Sequence, residues 1–324
     1  MQDPFFVFII LNYNGKRMLS YCLPTLREMQ YPRYLTVVVD NGSNDQSIEF
    51  IRENFPEVII IATNKNLGWA SGNNIGIEYA KTLKADFVVL LNNDTKVNFG
   101  FLRAIANFSS KHPKASVFAG KYYFMGTRIL QVAGGGFFSE KEMCGENFIG
   151  SNEKDIGQYD IPRKVDYVYE AAFVARLQLF SVIGLFDPLW LFNYEGPDLC
   201  KRASRVGLES WYVPQAFVEH EVNATFDGCK TVPREMVSRT LAKSKNRFRF
   251  LLKHYPFNLA LKIQEEYVLK SIAYFYSQPN HAFRELYSTF WNFLHLANTR
   301  SLYGLKRENY EEVYAKFLSK CKIT

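Results

Sequence analysis

DFVVLLNNDTKV, residues 86–97, decides how the chain is read: a short apolar run closes on the polar cluster Asn92-Asn93-Asp94-Thr95. The run is too short for a helix of its own. It is rich in Val and Phe and shows no polar alternation, as expected of a strand covered on both faces. The same order recurs upstream. FFVFIILN (5–12) runs into Tyr13-Asn14-Gly15, LTVVVD (35–40) into Asn41-Gly42-Ser43, and VIIIA (58–62) into a cluster holding Asn64, Lys65 and Asn66. Helix-like stretches at 16–30, 46–55 and 71–84 separate these runs. Alternation of this kind predicts an α/β, Rossmann-like fold, a mainly parallel sheet with helices on both faces. Ligands of such sheets gather at the carboxyl ends of the strands. Any one cluster can be an ordinary turn, because Asn, Asp, Gly and Ser all form turns. Four at one edge point to a binding crevice.

The next stretches downstream, SVFAGKYYFM and ILQVAGGGFF, read as further strands, and 139–164 as an exposed loop. Apolar runs return over 165–221 around a cluster of carboxylates. From 230 the chain is helical and aromatic over 234–254, 259–277, 282–297 and 308–321. The expected organisation is a catalytic domain at 1–229, divided near residue 125, followed by a helical tail at 230–324. Neither an internal repeat nor a low-complexity segment is present.

Of the 324 residues, 48% are hydrophobic, enough for a large core and against disorder. The five cysteines are odd in number and lack CxxC spacing, which argues against a disulfide framework or a thiolate metal site and for a reducing compartment. Asp3 and Pro4 stand where a signal peptide carries positive charge, so a cytoplasmic location is expected. The net charge of +7 is unevenly spread: residues 1–229 hold 22 basic and 25 acidic side chains, residues 230–324 hold 17 and 7. A basic tail suits an anionic surface. Nucleic acid is not expected as a partner, since the main domain is slightly acidic and no binding motif for it occurs.

Three segments offer chemistry. In VVVDNGSNDQS (37–47), Asp40 ends a buried strand where a carboxylate can accept from a base or ribose. In NKNLGWASGNNIGIEYA (64–80), Gly68, Gly72 and Gly76 permit close backbone approach, and Asn66, Asn73 and Asn74 offer amides. The pattern is not GxGxxG and does not follow the first strand, so a dinucleotide-dependent oxidoreductase is disfavoured. In LLNNDTKV, Asn92 and Asp94 form an oxygen-rich pair suited to Mg²⁺ or Mn²⁺, with an Asx turn as the plain alternative. The strand-end clusters add Asn14, Asn41 and Asn93 as candidate ligand contacts.

LNYNG (11–15), VVVDNGSNDQS, NKNLGWASGNNIGI, LLNNDT, LFDPLWLFNYEGPDLCKR (185–202) and GLESWYVPQAFVEHE (207–221) together resemble the family-2 glycosyltransferases of the GT-A fold, in particular their rhamnosyltransferase-like branch. The resemblance runs from about residue 5 to 254. It implies an inverting transfer of a sugar, rhamnose among the candidates, from a dTDP- or UDP-sugar to a hydroxyl of a cell-surface glycan or lipid-linked precursor. It also implies that Asn12, Tyr13 and Asp40 line the nucleoside pocket, and that Asn92 and Asp94 stand at the metal motif, with His220 completing the shell of Mn²⁺ or Mg²⁺. His112, His254, His281 and His295 join no constellation.

Two positions depart from the family. Its base is the aspartate of a Glu-Asp pair, but here Tyr194-Glu195-Gly196-Pro197-Asp198-Leu199 puts Gly196 at that place. Upstream, DYVYEAAFVAR (166–176) has Glu170 where the family usually has Gly. Three readings are open: Glu195 acts as base, Glu170 reaches across so that the departures compensate, or the chain is an inactive nucleotide-sugar-binding subunit that scaffolds a partner. An active enzyme with Glu195 ahead of Glu170 is the expectation. Asp198 is expected to be structural, pairing with Arg202. In the tail, KSKNRFRFLLKHYPF (243–257) and YSTFWNFLHLANTR (287–300) interleave aromatic and basic residues, which suits either an anionic membrane at the inner face of the plasma membrane or packing on the domain or on a second copy.

Overall fold

The computed structural model describes residues 2–139, 143–190, 193–221, 239–273 and 279–294. The expected helix at 308–321 and the last residues of the 287–300 stretch lie outside them. In chain order the first half runs β1 (Phe6–Asn12), α1 (Lys16–Arg27), β2 (Tyr34–Asp40), α2 (Ser47–Asn54), β3 (Ile59–Ala62), α3 (Gly68–Thr82), β4 (Phe87–Asn92), β5 (Thr95–Val97), α4 (Phe101–Lys111) and β6 (Ala115–Phe124). Next come β7 (Leu130–Ala133), β8 (Gly135–Phe138), β9 (Gly145–Phe148), β10 (Arg163–Val165), β11 (Tyr167–Val168), β12 (Ala172–Arg176), α5 (Leu179–Ile183), α6 (Glu195–Arg205) and β13 (Glu209–His220). Three helices close the described chain: α7 (Arg239–His254), α8 (Phe257–Ala273) and α9 (Pro279–Leu294).

A ten-stranded sheet carries the fold, in the order β10-β13-β6-β12-β4-β1-β2-β3, with β5 added to β13 and β7 to β6. The first four long strands, β3, β2, β1 and β4, are all parallel. The Val, Ile and Phe residues of β1, β2 and β4 are closed to water on both faces, and Ile59, Ile60 and Ile61 of the edge strand β3 are partly so, which is why the sequence shows continuous apolar runs instead of alternation. Helix α1 buries Met18, Leu19, Cys22, Leu23 and Leu26, a spacing of three and four that sets one apolar stripe against the sheet. Beyond β4 the sheet turns antiparallel: β12 pairs with β4 through Ala172 and Leu91, and Asn92 N–H donates to the Ala171 carbonyl at 2.9 Å. That register sets Glu170 beside the polar end of β4. The loop expected at 139–164 holds β9 and leads to β10, and β9 joins β8 and β11 in a small antiparallel sheet.

Helix α7 departs from its membrane reading. Phe248, Phe250, Leu251 and Leu252 are buried in a second core with Trp190 and Tyr194, so the aromatics of 243–254 pack on the catalytic domain. Arg249, Lys253 and His254 are drawn in with them. Arg249 and Lys253 reach Asp187 at 3.2 and 3.0 Å, and Lys253 and His254 both reach Asp198 at 2.8 Å. Among the described residues no helix is long and apolar enough to cross a membrane.

Because Asp187 has no water to replace a lost partner, Asp187→Ala leaves Arg249 and Lys253 charged in a closed space. The expected destabilisation is about 3–5 kcal/mol by urea unfolding. A loss below about 1 kcal/mol, the size of an exposed pair, would show that water reaches these charges.

Candidate active site

The strand ends converge as the sequence indicates, and they first bind one another. Asn93 Nδ2 donates to Asn12 Oδ1 at 2.9 Å, and Asn12 Nδ2 donates to Asp40 Oδ2 at 2.9 Å and Ser43 Oγ at 3.2 Å. Ser43 N–H donates to the other Asp40 oxygen at 2.9 Å. Asn12 and Asp40, expected along the nucleoside pocket, are fully buried and tie the strand ends together. Tyr13 and Asn14 are half-buried at the rim, with Asn14 Oδ1 accepting from Asn44 N–H at 2.8 Å. Asn14 takes φ +50°, a left-handed conformation that Asn tolerates better than most residues.

The stretch at the start of α3 divides between two tasks. Asn41 Nδ2 donates to Asn66 Oδ1 at 3.1 Å and to the Gly68 carbonyl at 3.3 Å, so these three residues form one edge of the crevice. Gly72 is different: a Cβ there would collide with Leu11 of β1, so its missing side chain serves helix–strand packing and not a ligand. Asn73 is buried and donates to the Trp69 carbonyl at 3.0 Å. Asn74 is also withdrawn from the crevice. It donates to the Phe186 carbonyl at 2.8 Å and accepts from Phe186 N–H at 3.1 Å, clamping the segment before α6.

At the other side of β4, β5 and β13 pair with Thr95 opposite His220, and this brings Asp94 Oδ1 to 3.2 Å from His220 Nε2. Both side chains are buried. Gln131 on β7 fixes the imidazole. Its Nε2 donates to the His220 carbonyl at 2.7 Å, so its Oε1 faces His220 Nδ1 at 2.8 Å and accepts a hydrogen bond from it. His220 Nε2 then faces Asp94 Oδ1, as an ion pair when the ring is protonated and as a pair of lone-pair donors when it is not. In the second form the nitrogen and the carboxylate oxygen suit Mn²⁺ or Mg²⁺. Among the described residues no three His, Cys, Asp or Glu side chains gather around a metal, so the remaining ligands would come from diphosphate oxygens and water. Asn92, the third expected ligand, is turned elsewhere, accepting from Trp69 Nε1 at 3.4 Å. Sequence reasoning missed Gln131, whose one mark is a lone amide within an apolar strand.

The two glutamates meet across the same cleft. Gly196, in the first turn of α6, donates its N–H to Glu170 Oε1. A Cβ on residue 196 would lie 2.5 Å from that oxygen and 2.8 Å from Glu170 Cγ. The Glu170 carboxylate therefore occupies the space into which any longer residue 196 would begin to extend, and the two departures from the family pattern fit each other sterically. Burial pushes Glu170 up toward neutrality, against the pull of the Gly196 N–H. Glu195 is pushed well above the carboxylate range, first by burial and then by the charge of Glu170. Glu195 Oε2 has no partner and its residue is 2% exposed, whereas the Glu170 residue keeps some exposed surface although its carboxyl is desolvated. Tyr169 stands between the two centres: burial raises its phenol to about 12, with further contributions from the charges of Glu170 and Asp94. Its ring also packs edge-on against His220.

Below Gly196, Asp198 is ionised in a fully buried place. Burial opposes this, but Arg202 at 3.0 Å, Lys253 and His254 outweigh it and hold the carboxyl well below its ordinary value. The expected Asp198–Arg202 pair is present, and Arg202 also donates to the carbonyls of Ile183 and Leu185. His254, expected to do nothing, is one of Asp198's three partners.

Residues 7–154 match the family model described as Glycosyl transferase family 2. The chain is 20% identical over 263 residues to dTDP-rhamnosyl transferase RfbF of Shigella flexneri, covering 78% of this chain and 82% of that protein. It is 23% identical over 240 residues to an N-acetylglucosaminyl-diphospho-decaprenol L-rhamnosyltransferase of Mycobacterium tuberculosis, covering 66% and 73%. Among solved structures, S. aureus TarS 1-349 in complex with UDP-GlcNAc superposes with a TM-score of 0.56 at 15% identity, over 98% of this chain and 89% of that one. GalNAc-T7 with UDP, GalNAc and Mn²⁺ gives 0.59 at 16%, over 76% of this chain but only 47% of the GalNAc-T7 chain. The architecture is the GT-A fold.

Two outcomes check the geometry. Gly196→Ala is expected to destabilise by about 1–3 kcal/mol through overpacking. Glu170→Ala in the same chain should recover most of that loss, so a double-mutant cycle that gives additive values would remove the contact. For Glu195, the unfolded carboxyl ionises at lower pH than the folded one. Between those two points the unfolded chain binds fewer protons, and this group's contribution to stability falls as pH rises. Glu195→Gln is therefore expected to raise Tm at mildly alkaline pH more than at acidic pH, and an equal rise at both would contradict a raised Glu195.

Proposed function

From the glycosyl transferase family 2 domain that the chain carries, we propose that the protein transfers a sugar with inversion from a nucleoside diphosphate donor to a hydroxyl of a cell-surface glycan or lipid-linked precursor. The names of its relatives favour rhamnose and a dTDP donor, with a UDP-sugar as the other candidate. The observation that carries this reading is the Asp94–His220 pair set beside the Glu170 carboxylate at the ends of adjacent strands. A transferase of this kind has to receive charge on a leaving diphosphate and a proton from an attacking hydroxyl, and the two centres match those needs.

Asp94 and His220 would hold Mn²⁺ or Mg²⁺, with Gln131 fixing the imidazole tautomer. When bound, the cation would neutralise the leaving diphosphate. Tyr13, Asn14, Asn41, Asn66 and Gly68 stand along the crevice for the nucleotide. Glu170 accepts the proton of the acceptor hydroxyl while that oxygen forms its bond to the anomeric carbon and the bond to the diphosphate oxygen breaks. This reverses the expected ranking of the two glutamates. Glu195, shut from solvent and unpartnered, is poorly placed to receive a proton from an acceptor and instead keeps a proton of its own, which limits the charge beside Glu170. An acceptor on a lipid would place the protein at the cytoplasmic face of a membrane.

Donor hydrolysis with Mn²⁺ and with a chelator, for wild type, Asp94→Ala and Glu170→Gln, tests this reading. Wild type should require the cation, and the Glu170 variant should lose activity by about 10²–10⁴-fold. The remaining activity should rise with pH through neutrality in wild type, since the base works only when deprotonated. Metal-independent hydrolysis that survives Asp94→Ala would overturn the assignment. Donor binding without turnover in wild type would favour a nucleotide-sugar-binding subunit instead.

A further inference from the structure

Helix α9 is built inside out. Glu285, Ser288 and Asn292 are at most 1% exposed, while Leu286, Tyr287, Phe290, Phe293 and Leu294 face solvent, Phe290 at 64% and Leu294 at 66%. At about 100° per residue, the buried polar set spans an arc of about 60° and the exposed apolar set one of about 120°, on nearly opposite sides of the helix. A helix on the surface of a water-soluble body has the reverse arrangement.

The polar side is held firmly. Glu285 accepts from Ser244 Oγ at 2.7 Å and from Arg247, both on α7, and from Gln264 of α8 at 3.3 Å. Gln264 also donates to Thr289 Oγ1 at 2.9 Å, and Asn292 donates to the Lys245 carbonyl at 2.9 Å. Rotating α9 to hide its apolar face would strip a buried carboxylate of three donors. The fold thus fixes the apolar side outward, and Leu269 of α8 adds to the exposed apolar surface of these helices at 58%.

Charge indicates what covers this face. Residues 230–324 hold 17 basic and 7 acidic side chains, in contrast to the slightly acidic remainder of the chain. Lys243, Lys262 and Lys270 on α7 and α8 are exposed, and Lys245 lies over the ring of Trp291 on α9 itself, 4.1 Å from its centroid. An exposed apolar helical face on a tail rich in lysine and arginine, with Glu265 and Glu266 of α8 as the nearby acids in sequence, suits the boundary of an anionic bilayer, where acyl chains take the Leu and Phe side chains and phosphates meet the lysines. A second copy of this chain would bring the same positive charge against itself.

We propose that the outward face of α9 seats the protein on an anionic membrane surface. The membrane contact thus belongs to α9 and not to the 243–257 stretch, whose aromatics are spent in the core. It rests on the glycosyl-transfer reading only for its purpose, the delivery of a lipid-linked acceptor to the crevice.

The test is flotation of the full chain with vesicles of phosphatidylcholine alone or mixed with phosphatidylglycerol. Wild type should float with the mixed vesicles and less so as salt rises. Phe290→Ser combined with Leu294→Ser should lower the partition by about tenfold or more. Because both residues are exposed, the variant should keep the wild-type Tm and rate of donor hydrolysis. Wild type that does not float, that floats equally without phosphatidylglycerol, or that floats as well after the substitutions overturns the proposal. So does light scattering that shows a wild-type dimer which the double variant splits. A chain that floats but does not hydrolyse donors fails the earlier reading and leaves this one standing.

Discussion

The placement of α6 depends on a charge kept out of water. Asp198 has no exposed surface, yet Arg202, Lys253 and His254 converge on it and hold it ionised. Each partner comes from a different tie. Arg202 binds α6 to the carbonyls that end α5, Lys253 bridges to Asp187, and His254 ends α7. Burial keeps His254 neutral, lowering it to about 4, so its bond to Asp198 is a hydrogen bond from an uncharged ring and not a further ion pair. An assembly of this kind is costly to desolvate and severe to break, which makes it a device for fixing geometry more than for adding stability. What it fixes is the first turn of α6, where Glu195 and Gly196 meet Glu170.

That meeting gives the site its character. Glu170 and Glu195 share one dry space, where burial raises both and the charge of Glu170 further raises Glu195's hold on its proton. The two residues differ in exposure: Glu170 keeps some surface, and Glu195 is sealed. Position 196 has no room for a side chain while Glu170 stands where it does. A carboxylate on β12's approach and a glycine on α6 are therefore one structural decision taken at two places in the chain.

The sheet was legible because two-sided burial leaves unbroken apolar runs, and all four parallel strands fall within a residue or so of their expected limits. The strand-end clusters were legible as a group, but not the task of each member. Composition does not say which Asn ties two loops together, as Asn12, Asn74 and Asn93 do. Gly72 misled for the same reason, since a glycine admits a helix against a strand as readily as a phosphate against a backbone. Asp94 and His220 were joined by motif order alone; the pairing of β5 with β13 that makes them neighbours is a long-range event without a local signal. Gln131 left no trace beyond its polarity.

The tail shows the limit most clearly, because an amphipathic pattern states that a helix has two faces and does not say which one is covered. In α7 the aromatic and basic residues go inward together, the bases drawn in by Asp187 and Asp198 on the domain it packs against. In α9 the polar residues go inward, drawn by Arg247, Ser244 and Gln264, and the apolar residues are left outside. Both outcomes follow from one rule: a buried charge must find its partners before apolar area is counted, because an unpaired ion costs more than several exposed side chains recover. Glu285 is the acid that α7 and α8 require, and the orientation of α9 follows from that need. The outward apolar face is then a consequence of how the interior was satisfied, and a lipid surface is the environment that turns this consequence into a favourable contact.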